Sequence, residues 1–319
     1  MENNSNNLNQ TNAPVVNYNA ADDEIDLREL FTAIWQGKWI IIAITTLFAV
    51  ASVFYAIKQP NIYKSEALLA PAEQDKAGGL GALAGQFGGL ASLAGVNLGS
   101  DGGVDKTQMA LEVLKSRQFT SEFIQKHNIL PDLMAAKAWN RETNTVIYNQ
   151  EIYNKAENKW LREVKAPLKP EPSMQEAYKV FSQLVTANTE NGMVTIAVEY
   201  ISPHIAQQWV NWLIQDINAT MKQRDVLEAN QSTQFLMSQL ENTKIADIRA
   251  VLYKLVEDQA KTIMFANVRD EYVFKTIDPA IVPEQKFKPK RALICVLGVL
   301  LGGIFSTLFV LIRHFIKKS

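Results

Sequence analysis

Ala292–Ile312, ALICVLGVLLGGIFSTLFVLI, holds no charged residue over 21 positions, and Trp39–Ile57, WIIIAITTLFAVASVFYAI, does the same over 19 near the other end of the chain. At 1.5 Å per residue each crosses a hydrocarbon layer of about 30 Å, the shorter with little to spare. Both are read as transmembrane helices. The Trp39 block starts too late, runs too long and follows too acidic a lead to be a cleaved signal peptide. The Ala292 block is closed by Arg313, Lys317 and Lys318, as a span is at a membrane face and a buried core helix rarely is.

Working outward, the 319 residues carry a net charge of −1 and a pI near 6.4, so nothing basic calls for nucleic acid as a partner. Cys295, the single cysteine, sits inside the second span, and the part between the spans can form no disulfide. Positive charge does not orient the chain. The tails offer Arg28, Lys38, Arg313, Lys317 and Lys318; the loop side offers Lys58, Lys64, Lys275, Lys286, Lys288, Lys290 and Arg291. That count favours a cytoplasmic loop, but segments as long as 58–291 translocate largely regardless of their charge, and the orientation stays open.

Residues 1–20, rich in Asn and without apolar period, are expected to be disordered. In 21–38, Asp22 or Asp23 can cap a short amphipathic helix with Leu27, Leu30, Phe31, Ile34 and Trp35 on one face, ending at Gly37. After the first span (39–57), residues 58–201 read as an α/β base. Tyr63–Ala70 alternates as a strand and Pro71 ends it. Ten of the 15 glycines then fall in 78–103, too flexible for a fixed helix and too apolar for a solvated linker. Such an insert is either a mobile loop or a surface for a neighbouring subunit, a glycan or lipid. A helix is expected over Lys106–His127, followed by a polar stretch with weaker helical signals. Ser173 with Glu176 forms a capping box, and the alternating runs Leu184–Thr189 and Met193–Ile201 meet across Asn191-Gly192 as a hairpin with a type I′ turn.

Ser202-Pro203 is a strong helix start, and no Gly or Pro follows from His204 to Asp278. Residues 202–268 therefore read as a long helical hairpin. Its turn is expected between about Asn230 and Thr243, where Asn230, Ser232, Asn242 and Thr243 weaken the helix. Equal arms of roughly 30 residues would rise about 45 Å and leave an apolar stripe to bury, so oligomerisation is expected. Residues 269–291 supply a final strand, Glu271–Ile277, joining the same sheet, and a connector held semi-rigid by Pro279, Pro283 and Pro289. The second span is 292–312 and the tail 313–319. Gly298 and Gly302, four apart on one face of that span, would let another helix approach closely.

Asp278, Pro279, Pro283 and Pro289-Lys290, with Gly302-Gly303 some twelve residues on, resemble the proline-rich signature of the Wzz family of chain-length determinants, the class 1 polysaccharide co-polymerases. Asp23-Glu24-Ile25-Asp26-Leu27, followed by Trp35, Gly37, Lys38 and Trp39, is similar to the family's N-terminal pattern. Lys288 stands where the family usually has serine, and Ile304 and Phe305 replace small residues after the glycine pair. The resemblance implies an α+β inner-membrane protein of two spans with both termini cytoplasmic, a periplasmic base and a helical projection, assembled as a homo-oligomeric ring or cage. It also implies a function: setting the length of a lipid-linked glycan, lipopolysaccharide O-antigen foremost, beside a separate membrane polymerase. The rival expectation is an adaptor for exopolysaccharide or capsule export that works with a separately encoded tyrosine kinase.

No enzyme site is expected. His127, His204 and His314 are scattered without metal-pair spacing and read as surface or cap residues. Gly79-Leu-Gly81-Ala-Leu-Ala84 matches a dinucleotide fingerprint only loosely, with no βαβ unit around it. There is no P-loop, and with seven residues after the second span no fused kinase is expected. The residues carrying function are instead expected to be mechanical: Pro279, Pro283, Pro289, Lys290, Gly298, Gly302 and Gly303, with no catalytic residue, cofactor or metal.

Overall fold

A computed structural model describes residues 27–72 and 106–318. The Asn-rich tail, the caps at Asp22 and Asp23 and the glycine-rich insert lie outside the described residues. The chain divides into two compact units, one drawn from 1–58 and 290–319, the other from 59–289.

The first unit is helical. A short helix α1 (Leu27–Gln36) turns at Gly37 into α2 (Lys38–Lys58), and α9 (Arg291–Lys318) packs alongside α2. Both long helices exceed the uncharged blocks by a residue or more, because charged side chains at the ends do not break a helix. Only 6% of the apolar window of α2 and 17% of that of α9 are buried, so neither is the core helix of a soluble domain. Length, apolarity and exposure together suit them to lipid.

The second unit is built on a four-stranded antiparallel sheet in the order β6-β7-β1-β8, where β1 is Tyr63–Pro71, β6 Val185–Glu190, β7 Met193–Tyr200 and β8 Phe274–Asp278. The β6–β7 turn is the Asn191-Gly192 pair, both at positive φ (51° and 77°), as a type I′ turn requires. Period-2 alternation sends Ser65, Ala67 and Leu69 of β1 and Val194, Ile196, Val198 and Tyr200 of β7 to one buried face. Over that face lies the first half of α7 (Pro203–Asn242), which begins at the Ser202 cap and contributes Trp209, Leu213, Ile217 and Met221. Each such side chain contributes roughly 1.5–3 kcal/mol by leaving water.

Helices α3 (Lys106–Lys115), α4 (Arg117–Lys126) and α6 (Met174–Leu184) complete the core through Leu114, Phe123 and Phe181. The expected single helix over Lys106–His127 is in fact two. Ser116 leaves the helical conformation and its hydroxyl accepts the Phe119 N–H, starting α4 afresh. Ser173 and Glu176 form their capping box at the head of α6.

The stretch before α6 is not weakly helical beyond a short α5 (Leu130–Ala135). It folds into two small hairpins, β2 (Ala136–Asn140) with β3 (Thr145–Tyr148) and β4 (Tyr153–Asn154) with β5 (Lys159–Trp160). Asn144 and Asn158, in the left-handed region that asparagine tolerates, make both turns possible.

The helical hairpin runs through α7 and α8 (Ala246–Val268), and its turn is Thr243–Ile245, at the far edge of the expected window. The two helices are unequal, 40 residues in α7 against 23 in α8. The first turns of α7, to about Met221, are held on the sheet, so only Lys222–Asn242 stands free to match the 23 residues of α8. Lys222 Nζ donates to the Arg269 carbonyl at 3.5 Å, placing the two feet at one level. The free arms are about 33 Å long rather than 45 Å.

Candidate functional site

The helix pair of the first unit has one continuous antiparallel seam. The Arg291 Nε donates to the Ala56 carbonyl at 3.1 Å; Gly298 faces Ser52; Gly302 faces Phe48 and Thr45; the Ser306 and Thr45 hydroxyls lie 3.4 Å apart; and Val310 faces Gly37. A Cβ at Gly302 would lie 2.7 Å from the Phe48 Cβ, and one at Gly37 2.3 Å from a Val310 methyl carbon. Without hydrophobic drive between helices in lipid, such close approach is what contact and hydrogen bonding depend on. Gly303 stands apart from its neighbour, with open space where its side chain would be. Of the glycines singled out from sequence, the seam therefore unites Gly298 and Gly302 and leaves out Gly303. Gly37, read only as a helix end, belongs to it.

In the second unit the proline connector is tied down by more than its rings. Gln207 Nε2 donates to the Ala280 carbonyl at 2.9 Å and the Ser65 hydroxyl to that of Ile281 at 2.7 Å. Ile62 N–H donates to the Lys288 carbonyl at 2.9 Å, and Phe287 N–H returns to Ile62. The Lys288 ammonium pairs with Glu199 of β7. Pro289 is buried, Pro283 half-buried and Pro279 and Lys290 exposed; the Lys290 carbonyl accepts Ile294 N–H at the head of α9. Both sides of Pro279 are thus fixed to the sheet.

The foot of the hairpin is fixed by side chains the sequence did not single out. Asn218, buried on α7, accepts the N–H groups of Val273 and Phe274 at 2.7 and 2.9 Å and donates to the Phe274 carbonyl at 3.0 Å. Asp225 accepts from Lys106 at 2.7 Å and from the Tyr272 hydroxyl at 2.6 Å, which, after burial, is the second cause holding that phenol above its ordinary range. Lower down, Asp216 accepts Lys126 at 2.6 Å and meets His127 Nε2 at 2.8 Å, and the His127 ring stacks on Trp212 with centroids 4.1 Å apart. His127 does cap α4, but its ring turns inward and its side chain is only 12% exposed. His204 packs near Trp139, and His314 lies against Phe315 in α9, so the structure brings no two histidines together.

Above the foot, the hairpin leaves apolar side chains in the open: Leu227, Phe235 and Met237 on α7, and Ile248 and Tyr253 on α8. In α8 only Ala266 is fully buried. Two helices can cover one stripe of each other and no more.

Residues 23–127 match the Wzz chain length determinant family, a range that takes in α1, α2, β1, α3 and α4. That match spans about a third of the chain. Residues 251–315 match a second family model, the G-rich domain on putative tyrosine kinase, from α8 through the connector into α9. No curated protein matches the chain. Among solved structures it is similar to a full-length bacterial polysaccharide co-polymerase, at 13% identity over 92% of this chain and 99% of that one, with a TM-score of 0.35. It is similar also to a fragment of WzzB, a polysaccharide co-polymerase from Salmonella Typhimurium, at 12% identity over 72% and 100% of the two chains, with a TM-score of 0.32. At such TM-scores neither superposition adds to the architecture already described.

Proposed function

We propose that this chain sets the length distribution of a lipid-linked surface polysaccharide of the O-antigen type, as a homo-oligomeric, non-enzymatic scaffold beside a separate membrane polymerase. In this reading it lies in the bacterial inner membrane with both termini cytoplasmic and the sheet and hairpin periplasmic. The observation that carries the proposal is the Wzz match over 23–127. Two features support it physically. The antiparallel pairing of α2 with α9 is what two spans with both chain ends on one side of a bilayer would need. The hairpin exposes an apolar surface that neighbouring copies would bury, and exposed patches of this kind mark interaction sites. The tied connector would stiffen each base, and a ring of such bases would confine the growing glycan without bond chemistry.

A second reading has an observation of its own. The match of 251–315 to the G-rich domain on putative tyrosine kinase favours an export adaptor that works with a separately encoded kinase. The experiment that tests the proposal is a gel profile of surface polysaccharide from a deletion strain, with and without this chain restored. A modal length that disperses on deletion and returns on restoration supports the scaffold. Loss of surface polymer with its length unchanged, together with co-purification of a kinase, overturns it in favour of the adaptor.

A further inference from the structure

Positive charge gathers at the end of the helix pair where orientation does not call for it. From the edges of the two uncharged blocks to the first acidic residue on the loop side, 58–65 and 285–291 hold six basic residues and no acid. In the proposed topology this side is periplasmic, whereas lysine and arginine are in excess on cytoplasmic loops. Two of the six are already committed within the second unit, Lys64 to Glu66 and Lys288 to Glu199. Three of the others belong to the first unit. Lys58 closes α2, Lys290 precedes α9 and Arg291 opens it, and the bond from Arg291 to the Ala56 carbonyl sets the end of α2 beside the start of α9. Lys58 and Lys290 are exposed and form no ion pair among the described residues; the Lys58 ammonium lies over the Phe54 ring, 4.5 Å from its centre. Phe54 and Tyr55, both exposed, fall within the last five residues of α2, as aromatic side chains do at a membrane–water boundary.

We infer that Lys58, Lys290 and Arg291 form a collar that holds anionic phospholipid headgroups around the loop-side end of the helix pair. This rests on the reading of α2 and α9 as spans. Depth selects the guest: these are the first charges beyond 19 and 21 uncharged positions, which puts them where hydrocarbon gives way to phosphate. Charge selects among the lipids. Three cations with no acid beside them in sequence favour a negative headgroup over a zwitterionic one, each adding roughly fivefold at such a surface. A second copy of this chain is no guest for the collar, because it presents the same cations at the same depth and like charges repel. Cations kept for lipid also explain why their count misreports the orientation.

The chain carries its own reporter. Cys295, the single cysteine, lies about 6 Å along α9 from Arg291 and about 27 Å from Arg313 at the other end. The full chain, labelled there with a fluorophore, is reconstituted into phosphatidylcholine vesicles. These carry a fixed fraction of either phosphatidylglycerol or phosphatidylcholine with acyl chains brominated near the headgroup. Quenching should report phosphatidylglycerol enriched about tenfold or more over phosphatidylcholine. Lys58→Gln with Lys290→Gln should lower that enrichment at least about fivefold. Lys58→Arg with Lys290→Arg should keep it, and Lys38→Gln, at the far end of α2, should leave it unchanged. Equal quenching by the two lipids, an enrichment untouched by the double glutamine variant, or one lost as fully in the double arginine variant would overturn the inference. Quenching by neither lipid would instead overturn the membrane reading beneath it.

Discussion

Gly298 stands directly against Ser52: a Cβ added to the glycine would lie 2.4 Å from the serine Cβ and 2.7 Å from its hydroxyl oxygen. The serine cannot simply swing away, since that hydroxyl already donates to the Ala49 carbonyl one turn back at 2.8 Å. One turn along, Gly302 meets Phe48 in the same manner, so the spacing of α2 and α9 is set at two successive levels by missing side chains.

Leucine at both positions should therefore force the helices apart. On the proposed function, Gly298→Leu with Gly302→Leu shifts or disperses the modal polysaccharide length without abolishing polymer, read on the same gel profile. Gly303→Leu, which enters open space, leaves the profile as it was. Unchanged lengths in the double variant would count against a role for the seam.

Asn218 binds three backbone groups at the foot of the hairpin while only 4% exposed. Truncating it leaves buried donors and an acceptor unmet, at about 1–3 kcal/mol each if water does not enter. Asn218→Ala should lower stability by about 3 kcal/mol, seen as a lower urea midpoint in far-UV circular dichroism. A midpoint unchanged within error would show that water replaces the amide.

What could be read in advance was whatever is signalled within a few residues. Ser202-Pro203, Asn191-Gly192 and the Ser173/Glu176 pair each act on their own turn of chain, and each does so here. The helix break at Ser116 has a local signal too, a serine three residues before Phe119, but the apolar period runs on through it and hides it. The hairpin turn can only be bracketed from sequence, because its position depends on how much of α7 the sheet retains, which no local pattern states. The site divides the same way. The spacing of Gly298 and Gly302 pointed to close packing, whereas their partners Ser52 and Phe48 lie in a helix far back in the sequence. Asp216 and His127, 89 positions apart, meet only through the fold.

Acid should act on the second unit through Glu176. The Arg162 guanidinium foremost, then the Ser173 N–H, holds this carboxyl down to about 2 from its ordinary 4.5. The folded chain thus binds the proton less readily than the unfolded one. The contribution is complete above about pH 4.5 and is lost as pH falls toward 2. Glu176→Gln should flatten that part of the acid limb in thermal melts taken at stepped pH. A limb as steep as the parent's would mean the carboxylate is free in solution.

Asp132 works in the opposite sense. Burial raises its carboxyl above the ordinary 3.8, against the pull of the Tyr148 hydroxyl and Lys155. Here the folded chain holds the proton more readily, so ionisation costs stability at neutral pH; the cost fades as pH falls through the raised value and is gone below about 3.8. Asp132→Asn keeps an acceptor for Tyr148 and removes the buried charge. It should raise the melting temperature at pH 7 and lose that advantage near pH 3. A lower melting temperature at both would mean the charge itself is needed.

The hairpin offers the sharpest separation of folding from assembly. Phe235 is 64% exposed and Ile248 47% exposed, so much of each side chain stays in water in the single subunit. A substitution at such a position away from special features stays within about 0.5 kcal/mol in the subunit itself. A carboxylate there would still have to be desolvated if a neighbouring copy covered it, at a cost of several kcal/mol. Phe235→Glu with Ile248→Glu should leave circular dichroism and melting of the dissociated chain unchanged. The same pair should reduce the mass of the detergent-solubilised assembly, measured by light scattering, to that of a smaller species. An assembly of parental mass would place the contacts between copies elsewhere and remove the hairpin surface from the proposed scaffold.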